Sequence, residues 1–245
     1  MKITSVNNQL VKDTAKLSDR KYRDETGLFL LEGEKCIDEA LASGINIKHL
    51  FVQDGCDLFA GMERIEVPES VISKISSTKT PPKAVAVAQK PEYKWSDNLK
   101  RVILLEDIKD AGNLGTILRS ACAFNADAIV LYGDTVDLYN TKCVRASVGN
   151  LWKIPVFEIK DFFTLQEYFK DYERVATLPK SGKTVWLNDY IPKDRVLIMF
   201  GTESSGLSNE LTDFANKNLT IEMSEKVESL NLSVSVAVVL YKIKS

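Results

Sequence analysis

The spacing of apolar and polar residues in the first 90 positions predicts a small α/β module. Short apolar runs rich in branched residues are typical of strands, whereas apolar positions three or four apart are typical of helices. The predicted strands cover residues 28–31, 47–52, 65–67 and 84–88. The predicted helices cover residues 6–21, 34–42 and 68–75.

After residue 100 the apolar runs have no polar face, and longer helical stretches separate them. The predicted strands cover residues 102–105, 128–132, 154–159, 175–178, 196–200 and 219–223, and the predicted helices residues 114–124, 138–147, 162–170 and 207–214. Strands that are apolar on both faces imply a parallel sheet covered by helices on both sides. Ligands of such sheets collect at the carboxyl ends of the strands. The loops of interest are therefore those at 106–115, 178–188, 201–206 and 224–229.

The last apolar element, residues 229–242, fits two periods. A strand period is carried by Leu230, Leu232, Val234, Val236 and Val238, and a helical face by Leu230, Val234, Ala237 and Tyr241. Ser229 or Asn231 could cap such a helix, and Lys242 and Lys244 would suit its carboxyl end. Its valine content alone narrowly favours a strand.

Length and composition allow one large domain or two modest ones. Of the 245 residues, 44% are hydrophobic, which is sufficient for a proper core. Residues 91–99 are polar and begin with Pro91, as expected of a linker. We therefore expect domains at residues 1–90 and 100–245, joined by this linker.

The sequence features that report on location predict a cytoplasmic protein. No apolar run reaches eighteen residues, and the amino-terminal residues lack the apolar core of a signal peptide. The four cysteines are widely spaced without a CxxC pair, which indicates reduced thiols rather than disulfides or a zinc site. No metal site is expected.

The net charge of −2 provides no overall attraction to nucleic acid, but the amino terminus is locally basic. The first 23 residues hold six basic residues against Asp13 and Asp19, a balance of six minus two, or +4. The basic residues are Lys2, Lys12, Lys16, Arg20, Lys21 and Arg23.

The sequence argues against a nucleotide phosphate-binding loop and against chemistry that depends on histidine. The sequence SGKT at 181–184 resembles the end of a phosphate-binding loop, but Thr177 stands where that loop needs glycine and Pro179 removes a backbone donor. His49 is the only histidine, so histidine-based catalysis or metal binding has no second histidine to use.

Two loops that follow predicted strands carry candidate functional residues. Asn113, Gly115 and Arg119 follow the first strand of the second domain, and the sequence GTESSG at 201–206 follows a later one. The arginine offers five donors that suit a phosphate, and strand-end glycines allow a ligand to approach the backbone closely. Each loop taken alone also fits a surface arginine or a simple turn.

Three motifs in one order make the chain similar to the SpoU/TrmH family of RNA 2′-O-ribose methyltransferases, within the SPOUT class. The motifs are LLEDIKDAGNLGTILRS, IMFGTESSGL and IEMSEKVESLNLSVSVAVVLY. Between the first two, KCVRASVGNLWKIPVF resembles the middle segment of the family and contains Arg145. RKYRDETGLFLLEGEK and TKTPP resemble the amino-terminal substrate-binding domain of many members.

The resemblance implies a fold and a cofactor. It implies that the last element is a helix and that the chain end passes through an earlier loop, forming a deep trefoil knot. It implies a homodimer whose catalytic domains share the site, and S-adenosylmethionine as the methyl donor. The cofactor-binding positions that it implies are Thr177, Leu178, Gly201, Gly206, Ile221, Met223 and Leu230.

The resemblance also implies catalytic roles. Arg119 would bind a phosphate beside the target ribose and assist removal of the hydroxyl proton. Asn113, Ser229 and Asn231 would orient the loop and the substrate, and Glu203 would brace the site. The residues expected to meet RNA phosphates are Lys16, Arg20, Lys21, Arg23 and Arg145, although the amino-terminal cluster also fits a solvated helix face.

Three departures from the family pattern put local loop geometry in question. Ala111 and Glu222 stand where proline is common, and the loop at 224–228 lacks a common glycine.

Three alternatives to a ribosomal RNA methyltransferase remain open. One is action on transfer RNA, although the amino-terminal domain favours ribosomal RNA. Another is a non-catalytic RNA-binding assembly protein of the same fold. The third is a conventional Rossmann methyltransferase, which predicts a glycine-rich loop that Gly112 and Gly115 match only loosely and an acidic residue where the second strand has Leu131 and Tyr132.

Overall fold

A computed structural model describes residues 1–179, 184–202 and 204–244. The α-helices are α1 Gln9–Lys16, α2 Arg20–Thr26, α3 Glu34–Ala42, α4 Glu69–Ile75, α5 Ala111–Ala123, α6 Thr141–Ser147, α7 Phe162–Phe169, α8 Asn209–Phe214 and α9 Leu232–Ile243. The strands are β1 Leu28–Glu32, β2 Ile47–Gln53, β3 Ile65–Val67, β4 Ala84–Gln89, β5 Arg101–Glu106, β6 Ala128–Tyr132, β7 Val156–Ile159, β8 Glu173–Thr177, β9 Thr184–Trp186, β10 Val196–Phe200 and β11 Lys217–Thr220. No described helix is long and apolar enough to cross a membrane.

The chain forms two compact units, and one of them is discontinuous in sequence. The first unit contains Met1–Glu92 and Asp137–Trp152, and the second contains Tyr93–Val136 and Lys153–Ser245. The segment that joins the first unit from a distance, Asp137–Trp152, lies inside the stretch that the sequence analysis assigned to the second domain.

The first unit is built on a mixed sheet in the order β1-β4-β2-β3, with only β2 and β3 parallel. Its strands match the predicted ones to within a residue. The helix predicted at 6–21 is two helices, because Leu17 ends α1 and Asp19 caps α2 by accepting a hydrogen bond from the Lys21 amide. A side-chain oxygen of this kind satisfies an amide that the helix itself leaves unpaired.

Ion pairs, ring contacts and one close backbone approach hold the segment Asp137–Trp152 on the first unit. Arg23 forms a buried ion pair with Asp137. The ring of Phe29, a fully buried residue of β1, lies 4.8 Å from that of Tyr139. Gly149 has a positive φ of 77°, and a side chain there would come within 2.6 Å of the Cβ atom of Glu39.

The second unit is built on a parallel seven-stranded sheet in the order β7-β6-β5-β10-β8-β11-β9. β5, β6 and β10 are almost entirely buried, as their unbroken apolar sequence predicted. β9 and the 3₁₀ helix Leu187–Asp189 that follows it were not predicted, because the apolar run there, residues 185–187, is only three residues long.

The last element is a helix, so the strand favoured by its valine content is wrong. Asn231 caps α9 by accepting a hydrogen bond from the Ser233 amide at 3.0 Å, and the helix packs on α5. Burial of one helical face outweighs the low helix propensity of valine, which is a few tenths of a kcal/mol per residue. The buried face consists of Leu232, Val236, Val239, Leu240 and Ile243, whereas Val234 and Tyr241 of the predicted face are exposed.

Candidate functional site

The carboxyl ends of three neighbouring strands bring together four of the predicted cofactor positions. β8 lies between β10 and β11, and all three strands are parallel, so their carboxyl ends meet at one edge. Thr177 ends β8, Gly201 follows β10 and Ile221 follows β11. Leu178 follows Thr177 and is tied to β11, because its amide donates to the Leu219 carbonyl at 2.9 Å.

Two threonine hydroxyls fix the backbone at this edge. Thr177 donates its hydroxyl to the Met199 carbonyl of β10 at 2.8 Å, and Thr220 donates to the Leu178 carbonyl at 2.7 Å. Each hydroxyl therefore links neighbouring strand ends. Thr220 was not predicted as a site residue, because nothing in the sequence indicates which carbonyl a strand-end hydroxyl will reach.

The glycine loop after β10 folds into a tight turn. The amides of Thr202 and Gly206 donate to each other's carbonyls, at 3.1 and 3.0 Å. A Cβ atom on Gly201 would lie 2.0 Å from the carbonyl carbon of Gly206, so only glycine fits there. Gly206 has a positive φ of 68°, a conformation that glycine adopts without strain. Glu203 lies outside the described residues.

A carboxylate and a tyrosine support the segment that leaves this turn. Glu106, buried at the end of β5, accepts a hydrogen bond from the Ser208 amide at 2.8 Å. Tyr132, at the end of β6, donates its hydroxyl to Glu210 at 2.6 Å. Burial, together with this hydrogen bond, raises the pKa of Tyr132 and keeps its phenol protonated. Neither residue was predicted, although Glu106 is the first carboxylate after an apolar strand.

The remaining cofactor positions lie in the connection between β11 and α9. Ile221 and Leu230 are half-buried, and neither backbone hydrogen-bonds to another residue in the described part of the chain. Met223 is 41% exposed. Glu222, one of the departures from the family pattern, accepts a hydrogen bond from the Asn188 amide at 3.3 Å.

A pair of asparagines joins the first and third motifs. The side-chain nitrogen of Asn231 donates to the side-chain oxygen of Asn113 at 3.1 Å. Asp110 caps α5 by accepting from the Asn113 amide, and Asn231 caps α9, so the pair connects two helix starts. Ser229 is exposed two residues before Asn231.

Arg119 is the exposed cation of α5. It lies six residues beyond Asn113, which is roughly 9 Å further along the helix. Within the described residues its guanidinium has no hydrogen bond and no ion pair. All five of its N–H donors are therefore available to a ligand.

The amino-terminal basic residues do not form the free cluster that was expected. Lys16, Arg20 and Lys21 are exposed, but each lies within 4 Å of a carboxylate on its own helix; these carboxylates are those of Asp13, Asp24 and Glu25. The interpretation of Arg23 as an RNA contact is wrong, because Arg23 is only 2% exposed. Its guanidinium donates to Asp137 and, at 2.6 Å, to the Leu17 carbonyl. A charged residue of the sequence can be buried when the fold provides its counter-ion.

Arg145 lies on α6 in the first unit and is half-buried. Its Nη1 atom donates to a carboxylate oxygen of Glu32 at 2.7 Å. Arg145 therefore lies on a different unit from Arg119.

Comparison with proteins of known structure defines the class to which this fold and strand edge belong. The crystal structure of an AdoMet-bound rRNA methyltransferase from Sinorhizobium meliloti matches with a TM-score of 0.88 at 29% identity, over 99% of this chain and 96% of that one. The protein is thus an α/β protein of the RNA methyltransferase type. It belongs to the SpoU rRNA Methylase family, whose sequence model matches residues 100–241. The model of the MRM3-like substrate binding domain matches residues 8–86.

Two curated relatives are similar over nearly their whole length. The 23S rRNA (guanosine(2553)-2′-O)-methyltransferase RlmP of Bacillus subtilis (strain 168) is 32% identical, over 99% of this chain and 98% of the relative. The 23S rRNA (uridine(2479)-2′-O)-methyltransferase of Streptomyces viridochromogenes is 25% identical, over 98% of this chain and 91% of the relative. The resemblance drawn from the three motifs is thereby confirmed.

Proposed function

We propose that the protein is an S-adenosylmethionine-dependent methyltransferase that modifies a ribose 2′-hydroxyl in structured RNA, with ribosomal RNA as the substrate. The observation that carries the proposal is the Asn113–Asn231 hydrogen bond, which joins the first and third motifs at the start of the helix that carries Arg119. The similarity to RlmP over almost the full length supports ribosomal RNA.

We assign residues 1–90 to RNA binding, 91–99 to a linker and 100–245 to catalysis. The matches of the two family models, at 8–86 and 100–241, support this division. We further propose that the chain end forms the trefoil knot of the class. The packing of α9 on both α5 and the 3₁₀ helix Leu187–Asp189 supports that path.

The residues at the strand edge fit S-adenosylmethionine, which supplies the methyl group when bound. Adenine requires backbone donors and acceptors beside apolar walls. Ile221 and Leu230 offer both, because they are half-buried with backbone groups that no described residue uses. Thr177, Leu178, Met223 and the turn Gly201–Gly206 would complete the cofactor-binding surface.

The chain's own contribution to methyl transfer is positioning and charge. A ribose hydroxyl has a very high pKa, so a catalyst must hold it in line with the methyl carbon and stabilise the charge that develops as its proton leaves. Arg119 would hold the phosphate next to the target ribose and lower the pKa of the hydroxyl. Asn113, Ser229 and Asn231 would orient the substrate loop, and Glu203 would brace it.

We also propose a cytoplasmic homodimer. The exposed sides of α5 and α9 form an apolar groove that includes Val234, Val238 and Tyr241, and a second copy would cover it. Phe124 and Ser120 of α5 line the same groove. The absence of a disulfide among the four cysteines is compatible with the reducing cytoplasm.

The test is transfer of a tritiated methyl group to unmodified ribosomal RNA by the wild-type protein and by the Arg119→Ala variant. We expect the variant to lose roughly 10²- to 10⁴-fold in turnover, the range for loss of acid–base assistance. Its affinity for S-adenosylmethionine, measured by calorimetry, should be unchanged. Lys170→Ala removes an exposed cation at the end of α7 and serves as the control, which should be fully active.

Each contrary result has a distinct meaning. A fully active Arg119→Ala variant would remove this residue from the mechanism, and loss of cofactor binding would make its role structural. A wild-type protein that methylates transfer RNA but not ribosomal RNA would contradict the substrate, and one that methylates neither would contradict the activity.

A further inference from the structure

A cluster in the first unit joins three residues that are far apart in sequence. Glu32 ends β1, Ser77 lies just after α4, and Arg145 belongs to α6. The side chain of Glu32 is only 2% exposed, whereas that of Arg145 is 36% exposed. A buried carboxylate is therefore in contact with an arginine that reaches the surface.

The hydrogen bonds in this cluster fix one end of the guanidinium. Nη1 of Arg145 donates to Glu32 Oε2 and to Ser77 Oγ, both at 2.7 Å, and so uses both of its hydrogens. Glu32 also accepts from the Ser77 amide at 2.7 Å and from the Ser77 hydroxyl at 3.2 Å. Glu32 thus holds the loop of Ser77 and the arginine in one arrangement.

The other edge of the guanidinium makes no hydrogen bond to the part of the chain that the structure describes. Within the described residues, Nε and Nη2 of Arg145 donate to no acceptor. These atoms carry three N–H groups in a planar fork, the geometry that binds a phosphate through two parallel hydrogen bonds. Lys79, two residues after Ser77, is exposed and adds a second positive charge to the same loop.

We propose that Glu32 is a positioning residue for RNA binding: it holds Arg145 so that the Nε–Nη2 edge receives a phosphate of the substrate RNA. The inference rests on the proposed function, because it assigns the phosphate to an RNA substrate. Without Glu32 the arginine would sample many rotamers, and ordering it would reduce the affinity.

The simpler alternative is that the ion pair only anchors the segment Asp137–Trp152. The molecule provides an internal control for this alternative. The Arg23–Asp137 pair ties the same segment to the same unit, and it is more deeply buried, with side-chain exposures of 3% and 8%. Arg23 cannot reach an RNA phosphate from there.

The experiment measures binding of the full-length protein to in vitro transcribed large-subunit ribosomal RNA over a series of KCl concentrations. The variants are Glu32→Gln, Arg145→Ala, the double variant and the control Asp137→Asn. We expect Glu32→Gln and Arg145→Ala each to weaken binding about tenfold and to reduce the slope of log affinity against log salt by about 1. The double variant should bind no more weakly than Arg145→Ala, because Glu32 acts through the arginine.

The control should separate positioning from anchoring. Asp137→Asn is expected to lower the thermal midpoint without changing the salt slope. Any one of three results would overturn the proposal. The first is that Asp137→Asn reduces the slope of log affinity against log salt as much as Glu32→Gln does. The others are that Glu32→Gln binds RNA like the wild type, or that the double variant loses as much affinity as the two single variants together. Should Glu32→Gln fail to fold, Ser77→Ala and Arg145→Lys replace it, and wild-type binding by both would overturn the proposal equally.

Methyl transfer by the same preparations distinguishes this inference from the proposed function. If the wild-type protein methylates the RNA while Glu32→Gln binds it normally, only the positioning role fails. If the binding losses follow the expected pattern but the wild-type protein transfers no methyl group, only the enzymatic activity fails.

Discussion

At the scale of single residues, Asn231 serves two purposes at once. Its side-chain oxygen accepts from the Ser233 amide and hydroxyl and so begins α9, and its nitrogen donates to Asn113. An N-cap of this kind stabilises a helix by about 1 kcal/mol. The two roles can be separated, because serine also caps helices but has only a short hydroxyl in place of the side-chain amide that donates to Asn113.

We therefore expect Asn231→Ser and Asn231→Ala to differ in stability but not in activity. Asn231→Ser should keep the cap, so its free energy of unfolding should lie within about 0.5 kcal/mol of the wild-type value. Asn231→Ala loses the cap, and its free energy of unfolding should be lower by about 1 kcal/mol. Both should lose methyl transfer, because both lose the contact with Asn113. Denaturant unfolding and the tritium assay measure the two effects, and full activity in Asn231→Ser would show that the contact is dispensable.

Which residues could be foreseen depends on whether their role is local. The requirement for Gly201 was indicated by its position after an apolar strand, and the structure adds the physical reason, a backbone approach that excludes a side chain. The burial of Arg23 was not foreseeable, because its partner Asp137 is 114 residues away. Glu32 was missed for the same reason: its partners become neighbours only in the folded chain.

At the scale of elements, the start of α5 explains why one departure from the family pattern is harmless. Ala111 is the first residue of the helix, where proline is favoured because the amide has no helical partner. Asp110 before it has φ −90° and ψ 118°, a conformation that a following proline allows. Alanine and proline are thus compatible with the same backbone.

Ala111→Pro should accordingly stabilise the protein. The gain expected from a less flexible unfolded chain is about 0.4–1 kcal/mol, which raises the thermal midpoint by roughly 1–4 °C. Ala123→Pro, in the last turn of the same helix, is the matched control and should destabilise by about 3 kcal/mol because it removes a helical hydrogen bond. Calorimetry measures both midpoints, and a lower midpoint for Ala111→Pro would contradict the backbone argument.

Periodicity predicted the buried strands of the second unit better than it predicted the orientation of its last helix. β5 and β10 were foreseen because strands that are buried on both faces have an unmistakable apolar sequence. The predicted face of α9 was wrong because valines lie on both its buried and its exposed side, so periodicity could not distinguish one from the other. Packing on α5 decides between these faces, and that contact is not local in sequence.

At the scale of the whole molecule, those outward valines indicate an assembly. Val234, Val238 and Tyr241 are exposed to 46%, 37% and 60%, along one side of α9. A contiguous apolar surface of this kind on a soluble protein usually marks an interface. A second copy of the chain is the occupant that we propose for this surface, in keeping with the homodimer proposed above.

Val238→Glu should therefore convert the proposed dimer into a monomer, because it places a charge in an apolar contact. Light scattering after gel filtration measures the mass, and the tritium assay measures whether methyl transfer is lost with it. Ile191→Glu, at an 83% exposed position in the second unit, should remain dimeric. A wild-type protein that is monomeric at all concentrations would contradict the dimer.

The discontinuity of the first unit limits how the protein can be cut into pieces. A fragment that begins at residue 100 would retain Tyr139 and Trp152 but lose Phe29, the ring on which both pack. A fragment that ends at residue 92 would leave Arg23 and Glu32 as buried charges without counter-ions. Neither fragment is therefore suited to expression alone. An amino-terminal fragment would need residues 137–152 attached to it, and a carboxyl-terminal fragment would need those residues removed and the gap joined by a linker.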